Sequence, residues 1–217
     1  MARETYENRI SEILGSILRL GKVVSEALKQ SVEQLSRRDL EGAALLIERD
    51  EEINRMRFQI EEDCLTLIAT QQPVATDLRK IASVLEIATE LERIGDYAKG
   101  IARLNIFIGQ KPLLKPLVDI PRMCERARGM LEKAVEAFVR EDAAAARAIP
   151  EQDQLIDELY KVVQRDLIFF ILKDPGSIDP AMALLWVAHN LERSGDRVEN
   201  ICERVIFTVT GEQVDLG

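Results

Sequence analysis

Apolar residues recur at helical spacing along the whole chain, and no stretch alternates with the two-residue period of a strand. This pattern predicts long helices, separated by the few segments that are rich in proline and glycine. The predicted helices cover residues 3–36, 39–70, 74–107, 118–139, 142–172 and 179–210. Pro150 lies near the start of the fifth helix, which must either begin there or kink, because proline in a helix interior costs about 3 kcal/mol.

The chain contains an internal repeat. Leu-Glu-Arg-Ile-Gly-Asp at 91–96 recurs as Leu-Glu-Arg-Ser-Gly-Asp at 191–196. Upstream of each, an Asp-x-x-Ile block recurs at 50–53 and 153–156, at an offset three residues larger. Two blocks that recur in the same order indicate a duplicated supersecondary unit.

The proline-rich linker at 109–116 separates the two copies. We therefore predict an all-α fold of two tandem three-helix bundles related by internal duplication, covering residues 1–110 and 117–217. The composition agrees with this prediction, since 47% of residues are hydrophobic and 31% charged but only 5% aromatic. Such a composition is typical of long helices packed side by side.

Several acids lie on the apolar face of the predicted helices. On a wheel of about 100° per residue with Ile81 at zero, Glu92 falls near 20°, inside the apolar stripe, and Asp96 near 60°, at its margin. Glu192 and Asp196 occupy the same angles on the sixth helix. Helices two and five carry matching oxygen-bearing pairs. The candidate ligands are Asp50, Asn54, Glu92, Asp96, Asp153, Asp157, Glu192 and Asp196.

Buried carboxylates are costly unless they are paired or bind metal, so the pattern predicts one metal site per bundle. Oxygen ligands suit iron, manganese, magnesium and calcium, and suit zinc less well. Two other interpretations stay open: a solvated acidic face, and an ion pair between Arg57 and Glu92. His189, three residues before Glu192, is a further candidate ligand, although its counterpart in the first copy is Thr89.

Charge and apolar patterning exclude several classes of protein. The net charge of −9 argues against a surface for nucleic acid or an anionic membrane. Neither a signal peptide nor an apolar run of about 20 residues is present, so we expect a cytoplasmic protein without membrane insertion. The cysteines, Cys64, Cys124 and Cys202, follow no metal-binding or disulfide pattern, and we expect each to be a buried apolar residue.

The two LERxGD blocks, each preceded by a D-x-x-I-[ND] block, resemble the PhoU family, and the resemblance covers nearly the full length. It implies multinuclear metal clusters at the candidate ligands, with iron or zinc as the expected metal and manganese, magnesium and calcium as alternatives. The family also often places Asn four residues after the motif Asp. Asn200 satisfies that pattern and joins the candidate ligands, whereas Gly100 does not, so the first cluster is expected to be smaller or weaker.

The resemblance also implies a function. PhoU-like proteins are cytosolic negative regulators of high-affinity phosphate uptake and of phosphate-starvation signalling. They act by contact with the ATPase of the phosphate ABC transporter and with a sensor histidine kinase. A homodimer or higher homo-oligomer is expected.

Two other functions compete with this expectation. A carboxylate-bridged di-metal enzyme is the alternative, but ferritin-like sites need Glu-x-x-His motifs on two helices, and the chain has a single histidine. We therefore expect no enzymatic activity. An inert helical scaffold held by salt bridges is the third possibility.

Overall fold

The computed structural model describes residues 2–216, and side chains from residue 4 onward. Within that range the chain is helical and contains no strand, which confirms the all-α prediction. Its α-helices are α1 (Ala2–Arg37), α2 (Leu40–Gln71), α3 (Ala75–Ile108), α4 (Asp119–Arg140), α5 (Ala143–Ala148), α6 (Asp153–Lys173) and α7 (Ile178–Thr210). Short 3₁₀ turns cover Pro150–Gln152 and Pro175–Ser177.

The predicted fifth helix is broken at Pro150. The side chain of Asp142 caps α5 by accepting a hydrogen bond from the Ala145 amide at 2.9 Å. After six residues α5 ends, and the 3₁₀ turn leads into α6. A continuous helix over 142–172 is therefore wrong, and the alternative in which a helix begins near Pro150 describes α6. The reason is that a proline has no N–H to donate and its ring clashes with the preceding turn. As a result, α6 begins at Asp153, one of the candidate ligands.

Local signals account for the other helix ends. Asp39 caps α2 by accepting from the Gly42 amide at 2.8 Å, as the sequence indicates. Gln72 closes α2 in the left-handed conformation, with φ of 47°. Gly109 follows α3 with φ of 68°, a conformation that favours glycine, at the start of the linker.

Each copy of the repeat packs as a three-helix unit. In the first copy α1, α2 and α3 pack together, and in the second α4 and α6 pack with α7, confirming the tandem bundles. One apolar core runs through both, because α1 also packs on α4 and α3 on α7. The three cysteines are buried, as expected, and burial raises the pKa of each thiol to about 12. The domain limits 1–110 and 117–217 stay a prediction.

The third helices of the two copies, α3 and α7, run antiparallel across each other. Glu90 accepts hydrogen bonds from Arg197 at 3.3 Å and from Asn200 at 3.1 Å. Gly100, in turn, faces the side chain of Asn190. The pairs 90–200 and 100–190 exchange under the 100-residue repeat, so a pseudo-twofold axis relates the copies. The seam between α2 and α3 is thus equivalent to the seam between α6 and α7.

Among residues 2–216, none of the helices is both long enough and apolar enough to cross a bilayer.

Candidate metal centre

The seam between α6 and α7 gathers carboxylates from both helices. Asp153 lies at the first residue of α6, and Asp196 and Glu199 lie about one turn apart on α7. One oxygen from each of these three carboxylates lies within 4.8 Å of the other two. We call Asp153, Asp196 and Glu199 the second-half cluster. Its spacing allows three carboxylates to share one cation.

Gly195 permits the close approach of Asp153 to α7. A Cβ atom at position 195 would collide with Oδ1 of Asp153, so a side chain there would push the carboxylate away from the helix. Gly95, the equivalent residue in α3, receives an apolar neighbour instead, since a Cβ there would lie 2.9 Å from Cδ1 of Ile53. The two glycines therefore allow close helix packing in both copies, but only in the second does the glycine admit a carboxylate.

The second-half cluster is electrostatically unfavourable without a cation. Asp153 is 8% exposed, and within residues 4–216 its Oδ1 has no hydrogen-bond partner. Burial raises the pKa of Asp153 to about 7, and the negative charges of Asp157, Asp196 and Glu192 add to the rise. Burial likewise raises the pKa of Glu199 to about 7, with Asp153 the largest charge contribution. Every charge that shifts these two pKa values is negative, so the site favours positive ligands.

Two basic side chains lie at the margin of this site. Nη1 of Arg193 contacts Oδ2 of Asp196 at 2.7 Å. Nδ1 of His189 lies 3.3 Å from Oε2 of Glu192, but that oxygen has no hydrogen-bond partner within the described side chains. The His189 ring packs edge-to-face on Trp186 with centroids 5.4 Å apart. His189 thus packs on Trp186 at the margin of the site and stays a candidate ligand.

In the equivalent seam between α2 and α3, a lysine already pairs with the buried acid. Asp50 is 5% exposed, and its Oδ2 accepts hydrogen bonds from Nζ of Lys99 at 2.5 Å and from Nδ2 of Asn54 at 3.2 Å. The same ammonium lies 3.7 Å from Oδ1 of Asp96. The hydrogen bond to Asp50 is the main cause of the raised pKa of Lys99. A buried carboxylate oxygen that already accepts from two donors does not fit the role of a metal ligand.

Glu92 and Asp96 differ in how far they are buried. Burial, followed by the charge of Asp96, raises the pKa of Glu92, which is half-buried. The Asp96 side chain is 53% exposed, so the interpretation as a solvated acidic face fits Asp96 better than it fits Glu92. Arg57 pairs with Glu61 on its own helix at 3.3 Å, and its charge partly offsets the rise in the pKa of Glu92.

Asn200 lies away from the second-half cluster, on the interface between α3 and α7, where it donates to Glu90. Sequence reasoning instead missed Glu199 and its counterpart Lys99. The helical wheel could have found both. At about 100° per residue, position 199 falls near the centre of the apolar stripe and position 200 about 100° away from it.

The comparisons with known proteins agree on one family. The family model described as the PhoU domain matches twice, at residues 17–104 and 120–205. The phosphate-specific transport system accessory protein PhoU homolog of Aquifex aeolicus is 36% identical over 205 residues, covering 94% of this chain and 93% of that protein. The homolog of the same name from Pseudomonas putida is 35% identical over 214 residues, covering 97% and 83%.

Two solved structures are similar to the whole fold. The crystal structure of the phosphate transport system regulatory protein PhoU from Streptococcus pneumoniae matches with a TM-score of 0.90 and 32% identity, covering 97% of this chain and 100% of that one. The crystal structure of PhoU from Pseudomonas aeruginosa matches with a TM-score of 0.89 and 31% identity, covering 95% and 100%. With two domain matches and full-length similarity in sequence and fold, this chain belongs to the PhoU family.

Proposed function

We propose that this protein is a metal-binding, non-enzymatic regulator of phosphate homeostasis that restrains high-affinity phosphate uptake and phosphate-starvation signalling in the cytoplasm. The observation that carries the regulatory part is the full-length similarity to proteins named as accessory or regulatory components of phosphate transport. The metal-binding part rests on the second-half cluster, in which a buried carboxylate oxygen of Asp153 has no partner among the described side chains.

The donor set of the second-half cluster favours hard cations. Carboxylate oxygens suit iron, manganese, magnesium and calcium, and a bound cation would neutralise acids that otherwise repel each other. Asp157 and Glu192 lie close enough to raise the pKa of Asp153 and extend the set. The resemblance to the PhoU family adds zinc to these metals, and iron or zinc is the metal that we expect. Bound metal would hold α6 against α7, a structural role that needs no reaction.

Control of uptake through this fold requires contact with other proteins. We propose the ATPase of the phosphate transporter and a sensor histidine kinase as partners, consistent with the regulatory names of the relatives. Several exposed apolar side chains are available for such contacts. They include Phe58 and Leu65 on α2, Phe169 and Leu172 on α6, and Trp186 on α7.

Phosphate uptake in cells tests the regulatory role. Deleting the gene in the source organism should raise the uptake of labelled phosphate when external phosphate is plentiful, and the intact gene should restore the restraint. A strain whose uptake and starvation response are unchanged by the deletion would contradict the proposal. Co-purification of tagged protein with the transporter ATPase, compared between wild type and Trp186→Ala, addresses the contact directly.

Metal analysis tests the metal-binding role. Protein isolated without chelators should contain iron, zinc or another divalent metal, and Glu192→Gln should lower the content. Negligible metal in both proteins would favour an inert scaffold. Oxygen-dependent oxidation of added ferrous iron in a stopped-flow assay would instead favour the di-metal enzyme.

A further inference from the structure

A reversal of charge in the centre of the candidate sites distinguishes the two copies of the repeat. Position 99 of α3 is lysine, and the equivalent position 199 of α7 is glutamate. One further position differs in the same direction, because Asn54 of α2 corresponds to Asp157 of α6. The second copy thus has five acids at positions where the first copy has three acids, an amide and a lysine. These acids are Asp153, Asp157, Glu192, Asp196 and Glu199.

The contacts of the two residues differ as their charges do. Nζ of Lys99 reaches across the seam to the buried Oδ2 of Asp50 at 2.5 Å and lies 3.7 Å from Asp96. The carboxylate of Glu199 meets Asp153 and Asp196, the residues equivalent to those two acids. The ammonium of Lys99 therefore contacts, in the first copy, the same two positions that the second-half cluster offers to a cation.

From this substitution we infer that Lys99 is a built-in cation that replaces metal in the first copy, so that metal binds to the second copy alone. The inference rests on the proposed metal-binding function and narrows it, because it removes Asp50, Asn54, Glu92 and Asp96 from the set of ligands.

Electrostatics make the two cations mutually exclusive. A divalent ion between Asp50 and Asp96 would have to displace the ammonium or stay within a few ångströms of it, where the like charges repel each other. It would also lose an oxygen that already accepts two hydrogen bonds. In the second copy an oxygen is available to a cation, since Oδ1 of Asp153 is buried without a partner in the described part of the chain.

A covalently attached cation differs from a metal ion in one functional respect. Lys99 is always present, so the first copy stays closed at any metal concentration, whereas the packing of α6 on α7 depends on metal supply. Metal would then act on one half of the molecule only, and the α3–α7 interface would connect the responsive half to the constant one.

Equilibrium dialysis of the metal-free protein against Mn²⁺ at pH 7.5, with bound metal counted by mass spectrometry, tests the inference. We expect Asp50→Asn to leave bound Mn²⁺ per chain unchanged, and its equivalent Asp153→Asn to lower the affinity at least 100-fold. Glu199→Lys should abolish binding, and Lys99→Glu should create additional bound metal. The double variant Lys99→Glu/Glu199→Lys should bind Mn²⁺ in the first copy. Adding Asp50→Asn to this double variant should remove the bound Mn²⁺.

The outcomes separate this inference from the proposed function. If the wild-type protein binds Mn²⁺ and Asp50→Asn removes part of it, metal occupies both copies and the inference is wrong, while the metal-binding function stands. If the wild-type protein binds no Mn²⁺, Fe²⁺ or Zn²⁺, both fail together. Should Asp50→Asn not fold, as judged by circular dichroism, the exposed Asp96→Asn replaces it with the same expected result.

Discussion

Neutralising a buried acid should have opposite effects in the two copies of the repeat. Asp153→Asn removes a charge that the negative charges of Asp157, Asp196 and Glu192 disfavour, and Asp50→Asn removes the partner of Lys99. In metal-free protein at pH 8 we expect the first substitution to raise the free energy of unfolding and the second to lower it. The two positions are equivalent and both are buried, so each substitution serves as the control for the other.

The magnitude follows from the pKa of Asp153. Its rise from 3.8 to about 7 means that ionising this group in the folded state costs about 4 kcal/mol more than in the unfolded chain. Asparagine avoids that cost but gives up an attraction of about 1 kcal/mol between the carboxylate and the start of α6. The net gain is about 3 kcal/mol, or about 6–12 °C in melting temperature. Asp50→Asn should cost about 1–3 kcal/mol, because it breaks a hydrogen bond between charged groups.

The pH dependence has a definite sign. Because the pKa of Asp153 is higher in the folded state, the folded protein holds this proton more tightly, and its stability falls as pH rises from about 4 to about 7. The advantage of Asp153→Asn should therefore be near zero at pH 4, grow through that window and be complete at pH 8. Glu199, whose pKa is also raised to about 7, steepens the same decline in wild-type protein.

Thermal and urea unfolding followed by circular dichroism, in EDTA at several pH values between 4 and 8, provides the measurement. A lower melting temperature for Asp153→Asn at pH 8 would refute the electrostatic account of the second-half cluster. So would a gain in stability that does not change with pH, since that would point to packing rather than to charge.

Three further predictions concern helix packing and metal. Gly195→Ala should lower the metal content, as counted by mass spectrometry, because its methyl group displaces the Asp153 carboxylate from the second-half cluster. Gly129→Ala, where no described atom lies within 4 Å of an added Cβ, should gain up to about 1 kcal/mol in the same unfolding assay. Chelating metal-loaded protein should remove about 2.7 kcal/mol if the metal was present at a hundredfold excess over Kd, and calorimetry showing no change would exclude a structural ion. Glu90→Gln should cost about 1–3 kcal/mol by weakening the bond from Arg197 across α3 and α7, and an unchanged urea midpoint would contradict that role.

The sequence alone predicted the helices, the duplication and the family, because these depend on the local order of residues along the chain. Apolar periodicity reports which face of a helix is buried, and Asp39 and Asp142 cap helices through hydrogen bonds within a few residues. The inward position of Asp153 also followed from periodicity. Pro150 indicated that a helix would either begin or kink there, and the structure adds that α6 starts three residues later, at a candidate ligand.

Only the tertiary structure decided which acids meet and what neutralises them. Lys99 and Asp50 are far apart in the chain, and a long flexible side chain finds its partner through the packing of two helices. For the same reason the structure directs Glu199 toward Asp153 and directs Asn200 toward Glu90, although the two residues are neighbours in sequence. Adjacent residues on a helix point about 100° apart, so the choice between metal ligand and interface contact depends on which helix packs against each face.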